Sequence, residues 1–158
     1  MPQGLALYEE LIARENLSFW GQMYNLSGRE LKTRIDEVLE QIRLTDKARQ
    51  RIKTYSGSRK RRVHIGVGLL HKPRLLFMDE PTVGIDPQSR RAILDSVKDL
   101  NKQGMTFCIQ LAKMEEAAEL SDQVEIMDCG NLIALGTQTE LTKQIGEMET
   151  LIPARQRE

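Results

Sequence analysis

The sequence predicts an α/β fold in which helices pack on a largely parallel sheet. Two short apolar segments, residues 75–78 and 105–111, are predicted to be buried strands, since the first lies between Pro73 and Pro81 and the second follows Gly104. Between them, apolar residues recur every three or four positions, as in an amphipathic helix. A strand, a helix and a second strand in this order are the parts from which a parallel sheet with helices on its faces is built.

Length and composition indicate an ordinary globular protein. At 158 residues, with 40% hydrophobic and 29% charged residues, the chain is long enough for one domain with a proper core. Lys and Arg together number 23, as do Asp and Glu, so no overall charge recruits nucleic acid or an anionic membrane. No run approaches the ~20 apolar residues of a membrane span, and no secretory signal opens the chain. The two cysteines lack metal-ligand spacing and indicate reduced thiols in the cytosol.

The first third of the chain is predicted to be helical. Residues 12–25 fit one helix, and Ser27 with Glu30 forms a capping-box pattern at the start of a second helix. That second helix carries a stripe of leucine, isoleucine and valine spaced by three and four, which we expect to lie in the core. Residues 45–53 are predicted to form a short polar helix.

The segment Ser56-Gly57-Ser58 precedes a helix-length stretch that is first basic and then apolar. Backbone N–H groups at the start of a helix, together with the Ser56 hydroxyl, form an anion site, and Ser56 also suits the N-cap. The basic run at residues 59–62 is predicted to be a solvated helix face. His64 and His71 have no partner pattern that suggests a metal or a triad, so we expect both at the surface or at a helix end.

Two adjacent carboxylates, Asp79 and Glu80, end the first predicted strand. In open α/β sheets, ligands bind outside the carboxyl ends of the strands. Beyond the carboxylates, Asp86 is predicted to cap a helix that has Pro87 at its first position. An isolated Asp-Glu-Pro would usually be no more than a polar strand exit.

The last third of the chain is predicted to form a helix followed by a hairpin. The helix covers residues 114–120, and two strands at 123–127 and 132–135 are joined by a turn at residues 129–131. Thr139 is predicted to cap a final helix. A hairpin after two parallel strands fits a sheet with an antiparallel edge.

Taken together, residues 55–87 resemble the ATPase domain of ABC transporters, in which a signature loop, a Walker B strand, a catalytic glutamate and a D-loop follow in this order. Residues 1–11 and 14–17 resemble the segment after the Q-loop in exporters of the ABC-2 type. The resemblance implies a P-loop NTPase-like fold with an inserted helical subdomain at 12–54, followed by signature, Walker B, D-loop and α/β parts at 55–145. Residues 1–158 would then form a single partial domain.

The resemblance also implies roles for particular residues toward ATP and Mg²⁺. Asp79 would hold Mg²⁺ on the nucleotide phosphates, and Glu80 would orient and polarise the attacking water. Ser56 and Gly57 would reach the nucleotide held by a second ABC ATPase domain, and Asp86 would communicate across that homo- or heterodimer. Gln3 matches the Q-loop glutamine, which touches the Mg²⁺ or water site.

Three departures from the family pattern limit this expectation. Ser58 stands where the family usually has a second glycine, and its Cβ could crowd the phosphate. No G-x-x-x-x-G-K-S/T occurs, so the Walker A loop is missing and we expect a truncated form that does not bind ATP by itself. Ala112 occupies the position of the switch histidine, and losing a donor to a developing charge costs roughly 3–4 kcal/mol of transition-state stabilisation.

The leading hypothesis is an ATP-binding, ATP-hydrolysing component that powers a transmembrane permease from the cytoplasmic face of the membrane. The alternative is a degenerate, non-hydrolysing partner that contributes the signature loop and a docking surface, which Ser58 and Ala112 favour. A third possibility is a soluble ABC ATPase of translation or DNA repair. The neutral charge counts against it, and we expect no nucleic acid partner. Without upstream strands, the sheet should expose an edge and an apolar face that promote association.

Overall fold

The computed structural model describes residues 7–111 and 114–143. The chain divides into two compact units, Met1–Ala112 and Lys113–Glu158. Within the described residues, the first unit contains four α-helices and a pair of parallel strands, and the second contains a helix, a hairpin and a further helical segment. Among these helices, none is both long enough and apolar enough to cross a bilayer.

The core of the first unit lies between its helices. These are α1 (Ala13–Met23), α2 (Gly28–Gln41), α3 (Gly57–Leu69) and α4 (Pro87–Lys102). The α1, α2 and α3 helices pack against one another, and α4 packs on α3. Fully buried side chains at their contacts include Leu17, Leu39, Ile42, Ile65, Leu69, Ile93 and Leu100. The predicted leucine and isoleucine stripe of α2 is therefore confirmed as core.

The start of α2 differs from its prediction. Ser27 makes no side-chain hydrogen bond to the helix, so the predicted capping box at Ser27 and Glu30 is wrong. Gly28, the first residue of α2, has a φ of +55°. This left-handed conformation changes the path of the chain directly after Ser27, at the point where the Ser27 hydroxyl would have to bond an N–H of the first turn. The carboxylate cap is found on α1 instead, where Glu15 Oε2 accepts from the Ile12 N–H at 3.0 Å.

Residues 45–53 do not form the predicted single helix. They contain two short 3₁₀ turns, Thr45–Lys47 and Ile52–Thr54. The reason is pairing with the segment before α1, since the Ile52 N–H donates to the Leu11 carbonyl and the Lys53 N–H donates to the Glu9 carbonyl, both at 2.9 Å. N–H groups committed to a distant segment cannot also close the hydrogen bonds of a helix.

A glycine inside α3 allows this helix to lie close to α2. A Cβ at Gly66 would come within 3.0 Å of both Ile42 Cδ1 and Val38 Cγ1. Glycine in a helix interior costs about 1 kcal/mol relative to alanine. The close contact between α2 and α3 accounts for a residue that local propensity disfavours.

The strands β1 (Leu75–Asp79) and β2 (Thr106–Gln110) pair in parallel, as predicted, with Asp79 opposite Gln110. The expectation that both strands are fully buried is wrong. Leu76 and Met78 are buried, whereas Leu75 is 45% and Phe77 59% exposed. Along β2, half-buried residues alternate with exposed ones. One face of the pair packs on the protein, and the described residues leave the other face in contact with solvent.

The second unit contains α5 (Met114–Leu120) and the antiparallel strands β3 (Val124–Asp128) and β4 (Asn131–Gly136). The predicted hairpin is confirmed, although it forms a two-stranded sheet of its own. Residues 138–143 are helical, and the cap is Thr137 rather than the predicted Thr139. The Thr137 hydroxyl accepts from the Glu140 N–H at 3.3 Å, while Glu140 Oε2 accepts from the Thr137 N–H at 2.8 Å.

Candidate functional site

The N-terminus of α3 is capped as its sequence predicts. Ser56 is extended, and its hydroxyl accepts from the Arg59 N–H at 3.4 Å. The Ser58 side chain is buried, with its hydroxyl 3.1 Å from that of Ser56, whereas Gly57 is exposed and has open space around its Cα. The exposed first turn of a 13-residue helix can therefore present N–H groups to an anion.

The two carboxylates follow β1 in an unusual backbone conformation. Asp79 is the last residue of β1, and Glu80 leaves the strand with a φ of +41° while its N–H donates to the Gln110 carbonyl at 3.0 Å. A residue other than glycine in this region is uncommon and costs of order 1–3 kcal/mol. Such a conformation persists where the surroundings determine it, and it is frequent at functional sites.

A buried arginine joins α3 to the end of β1. The Arg61 guanidinium donates to the carbonyls of Asp79 at 2.8 Å, Glu80 at 3.2 Å and Pro81 at 3.1 Å. The expectation that residues 59–62 form a solvated face is therefore wrong for Arg61, which is 5% exposed. Burial lowers the pKa of the Arg61 guanidinium, and the negative charge of Asp79 partly opposes this effect.

Asp86 caps α4 as predicted. Its Oδ1 accepts from the Ser89 N–H at 2.9 Å, and Pro87 occupies the first helical position. Hydrogen bonds from Ser89 hold the pKa of the Asp86 carboxyl below its ordinary value. The described structure thus gives Asp86 a local role as a helix cap, at the end of the turn that follows Glu80.

The expectation that His64 lies at the surface or at a helix end is wrong. It is buried in α3, one turn after Arg61, and its Nδ1 has no hydrogen-bond partner among the described residues. Burial, with the positive charge of Arg61 as a smaller cause, lowers the pKa of His64 to about 4. His64 is therefore a neutral core residue near neutral pH. His71 is exposed, as predicted.

Asn16 is a buried polar residue that the sequence reasoning did not single out. Its amide nitrogen donates to the carbonyls of Tyr8 at 3.0 Å and Ile12 at 3.1 Å, and its Oδ1 accepts from the Tyr8 N–H at 2.8 Å. Asn16 thereby holds the segment before α1 against that helix. The sequence does contain an indication of this role, because Asn16 is a polar residue next to Leu17 on a helix face that is otherwise apolar.

The structure places Arg61 on the buried face of α3. It lies three positions after Ser58 and four before Ile65, and both of those residues are buried. Residues at these spacings share one face of a helix. The predicted Q-loop glutamine Gln3 and the switch-position residue Ala112 lie outside the described residues.

Three aromatic side chains and a methionine one helical turn after Trp20 are partly exposed, and we call Tyr8, Phe19, Trp20 and Met23 the aromatic patch. The Tyr8 and Phe19 ring centroids are 4.8 Å apart, and those of Phe19 and Trp20 are 5.4 Å apart, both edge to face. Tyr8 is 47% and Met23 61% exposed. Exposed aromatic and methionine side chains are enriched at protein interfaces.

The carboxylate pair suits Mg²⁺ when phosphate oxygens complete the coordination. Mg²⁺ is usually bound through one or two carboxylates together with substrate phosphates and water. Asp79 and Glu80 supply carboxylates at the strand end, and the described residues contain no group of three or more His, Cys, Asp or Glu arranged to hold a metal. Two adjacent carboxylates at the end of β1 are a donor set that fits a Mg²⁺ ion also bound by phosphate oxygens.

The family described as "ABC transporter" matches residues 1–83, which is more than half of the chain. The chain belongs to the ABC transporter family. The matched range includes α1, α2, α3 and β1 with the Asp79–Glu80 pair. The resemblance inferred from residues 55–87 is thus confirmed at the level of the family.

Two curated ABC relatives match nearly all of the chain. The linearmycin resistance ATP-binding protein LnrL of Bacillus subtilis (strain 168) is 53% identical over 146 residues, covering 92% of this chain and 47% of the relative. The daunorubicin resistance ATP-binding protein DrrA3 of Streptomyces coeruleorubidus is 40% identical over 144 residues, covering 91% and 46%. The chain therefore spans about half the length of the curated relatives it matches.

A solved ABC structure shares the fold. It is the ADP conformation of MJ1267, described as an ATP-binding cassette of an ABC transporter, with a TM-score of 0.76 and 25% identity. The similarity covers 92% of this chain and 61% of that one. The predicted fold class, a fragment of a P-loop NTPase-like ABC ATPase, is confirmed.

Proposed function

We propose that this chain is part of the ATP-binding component of an ABC exporter. The observation that carries the proposal is the position of Asp79 and Glu80, at the carboxyl end of β1 and bonded through their carbonyls to the helix that follows the signature loop. Membership of the family supports MgATP as the ligand. LnrL and DrrA3 are named for resistance to linearmycin and daunorubicin, and this similarity supports drug resistance as the process that the chain serves, with export as the step that we propose hydrolysis drives.

Each predicted site residue has a task in this proposal. Asp79 would hold Mg²⁺ through its carboxylate, and the ion would stabilise negative charge on the phosphoryl oxygens. Glu80 accepts a hydrogen bond from the attacking water and polarises it. Gln3 is assigned the Q-loop role toward the same water or Mg²⁺. These roles require carboxylate oxygens, which Asp79 and Glu80 have, and a side-chain amide, which Gln3 has.

The signature segment acts on the nucleotide of a facing subunit. The exposed N–H groups around Gly57 and the Ser56 hydroxyl contact the terminal phosphate. Backbone N–H groups bind anions in this way at other helix N-termini. Because the Ser58 side chain is buried beside Ser56, it leaves the exposed surface of this turn to Gly57. Asp86, at the start of α4, lies on the D-loop segment that we assign to contact across the dimer.

The aromatic patch is the surface we assign to a permease subunit, which would hold the protein peripherally at the cytoplasmic face of the membrane. Large partly exposed rings bury much apolar area at little entropic cost, so such residues dominate interface energetics. Trp20→Ala should weaken binding to the permease by about tenfold or more. Tyr24→Ala, at another exposed aromatic position, is the control.

The decisive test is ATP turnover by the full chain, including any residues beyond this segment, with Glu80→Gln compared to wild type. Glu80→Gln should retain MgATP binding and lose about 100-fold or more in kcat, because only the proton-accepting group is altered. Asp79→Asn should weaken Mg²⁺-dependent binding. Glu30→Gln, at an exposed position on α2, is the control and should leave both quantities unchanged. Turnover that survives Glu80→Gln would refute the assignment.

The degenerate-partner function is kept as a second candidate because Ala112 cannot donate to a phosphate. A full chain with no turnover of its own, which nevertheless raises the ATPase rate of a competent subunit on mixing, would establish it. Ala112→His should then restore turnover to the chain itself. An unchanged partner rate would exclude this role.

A further inference from the structure

One side chain connects helix α3, which begins in the signature segment, to the end of β1. Arg61 lies in the second turn of α3, and its guanidinium meets three successive carbonyls, those of Asp79, Glu80 and Pro81, at 2.8, 3.2 and 3.1 Å. These carbonyls lie 18 to 20 residues away in the chain. A planar guanidinium presents its donors in a fixed fork, so several acceptors around it are fixed relative to one another.

The conformation fixed in this way is the strained one. Glu80 has a φ of +41°, and the peptide groups on both sides of it accept from Arg61. On its other side the Glu80 N–H donates to the Gln110 carbonyl of β2. A left-handed residue of this kind relaxes unless several contacts oppose the relaxation. The direction in which the Glu80 side chain leaves the backbone therefore depends on Arg61.

We propose that Arg61 is a positioning residue for ATP hydrolysis: it holds the Asp79–Pro81 backbone so that the carboxylates of Asp79 and Glu80 point at the nucleotide. This inference rests on the proposed function, because it assigns Arg61 to the same site. Arg61 acts through the backbone and need not touch nucleotide or water. A loss of alignment of about 1 Å at a reacting group can cost on the order of 100-fold in rate.

A second buried arginine makes a matched control possible. Arg34 of α2 is 6% exposed and donates to the carbonyls of Leu69 and Leu70 at the end of α3. Like Arg61, Arg34 uses a buried guanidinium to donate hydrogen bonds to backbone carbonyls. Its acceptors lie at the C-terminal end of α3, whereas Arg61 lies near the N-terminal end of α3. Replacing either arginine by glutamine leaves buried carbonyls without their donor, so both variants should lose stability. Only Arg61→Gln should alter the site.

The experiment compares wild type, Arg61→Gln, Arg61→Lys and Arg34→Gln in the full chain. Hydrogen exchange is followed at the amides of residues 80–85, of which Pro81 has no N–H, and ATP turnover is measured well below each variant's Tm. Arg61→Gln should raise exchange at residues 80–85 by about tenfold or more and lower kcat by about 10- to 100-fold, with KM within about threefold. Arg61→Lys, which keeps the charge but loses the fork, should fall between it and wild type.

Arg34→Gln should lower the Tm while leaving kcat and exchange at residues 80–85 unchanged. Equal losses of kcat in Arg34→Gln and Arg61→Gln would overturn the proposal, because they would reflect general stability. Wild-type exchange at residues 80–85 in Arg61→Gln would overturn it too. If wild type itself shows no turnover, the proposed function fails, and the exchange data alone then decide whether Arg61 holds this backbone.

Discussion

The helical part of the first unit and its strand pair differ in how completely they bury their apolar residues. In α1, α2 and α3, large side chains such as Leu17, Leu39 and Ile65 are almost fully buried against one another. In β1, Leu76 and Met78 are buried while Phe77 between them is exposed. Helices that are close in sequence complete a core among themselves, whereas a two-stranded sheet depends on other elements for its second face.

The first prediction tests this difference directly with two matched truncations. Leu39→Ala in α2 should reduce the free energy of unfolding by roughly 2–5 kcal/mol, because it removes contacts from a fully enclosed site. Leu75→Ala in β1 should cost less than about 1 kcal/mol, since this side chain is 45% exposed. Urea unfolding of the full chain measures both. Similar costs would show that the strand face is covered in solution.

The second prediction concerns pH and the apolar surroundings of His64. Its pKa of about 4 in the folded protein lies below the ordinary 6.5, so between these values the unfolded chain binds more protons. Stability should therefore fall as pH is lowered from about 6.5 to 4, by up to roughly 3 kcal/mol. His64→Gln should remove this component, while His71→Gln at an exposed position should retain it. An identical pH dependence in wild type and His64→Gln would contradict the prediction.

The third prediction compares a buried arginine with a half-exposed one on the helical side. Arg34→Gln should cost roughly 1–3 kcal/mol, because it takes the donor from the buried carbonyls of Leu69 and Leu70. Arg14→Gln loses a more exposed ion pair with Asp36 and should cost less than about 1 kcal/mol. Thermal unfolding distinguishes them. Equal costs would mean that burial adds nothing to the contribution of Arg34.

The smallest effect on stability is expected at Phe77. Phe77→Lys should change the free energy of unfolding by no more than about 0.5 kcal/mol, because the ring is 59% exposed. It should nevertheless reduce self-association of the chain, since a charge on an open strand face opposes edge pairing. Light scattering over a concentration series measures the change. A wild-type chain that stays monomeric throughout would contradict the expected association.

Much of the fold was predictable because it depends on residues that are close together in the chain. The caps at Ser56 and Asp86 form through N–H groups three residues further on. The order of strand, helix and strand around residues 75–111 implied the parallel pairing of β1 with β2. Recognition of the family depended on the same property, since its motifs are short and their order is visible in the sequence.

The sequence by itself thus determined the family, the order of the elements and the positions of Asp79 and Glu80. Tertiary structure alone decided that Arg61 and His64 are buried, that residues 45–53 are not one helix, and that Phe77 faces solvent. The reason is physical: each of these outcomes depends on partners about 20 or more residues away, or on whether a covering element is present. Local propensity contains no information about either.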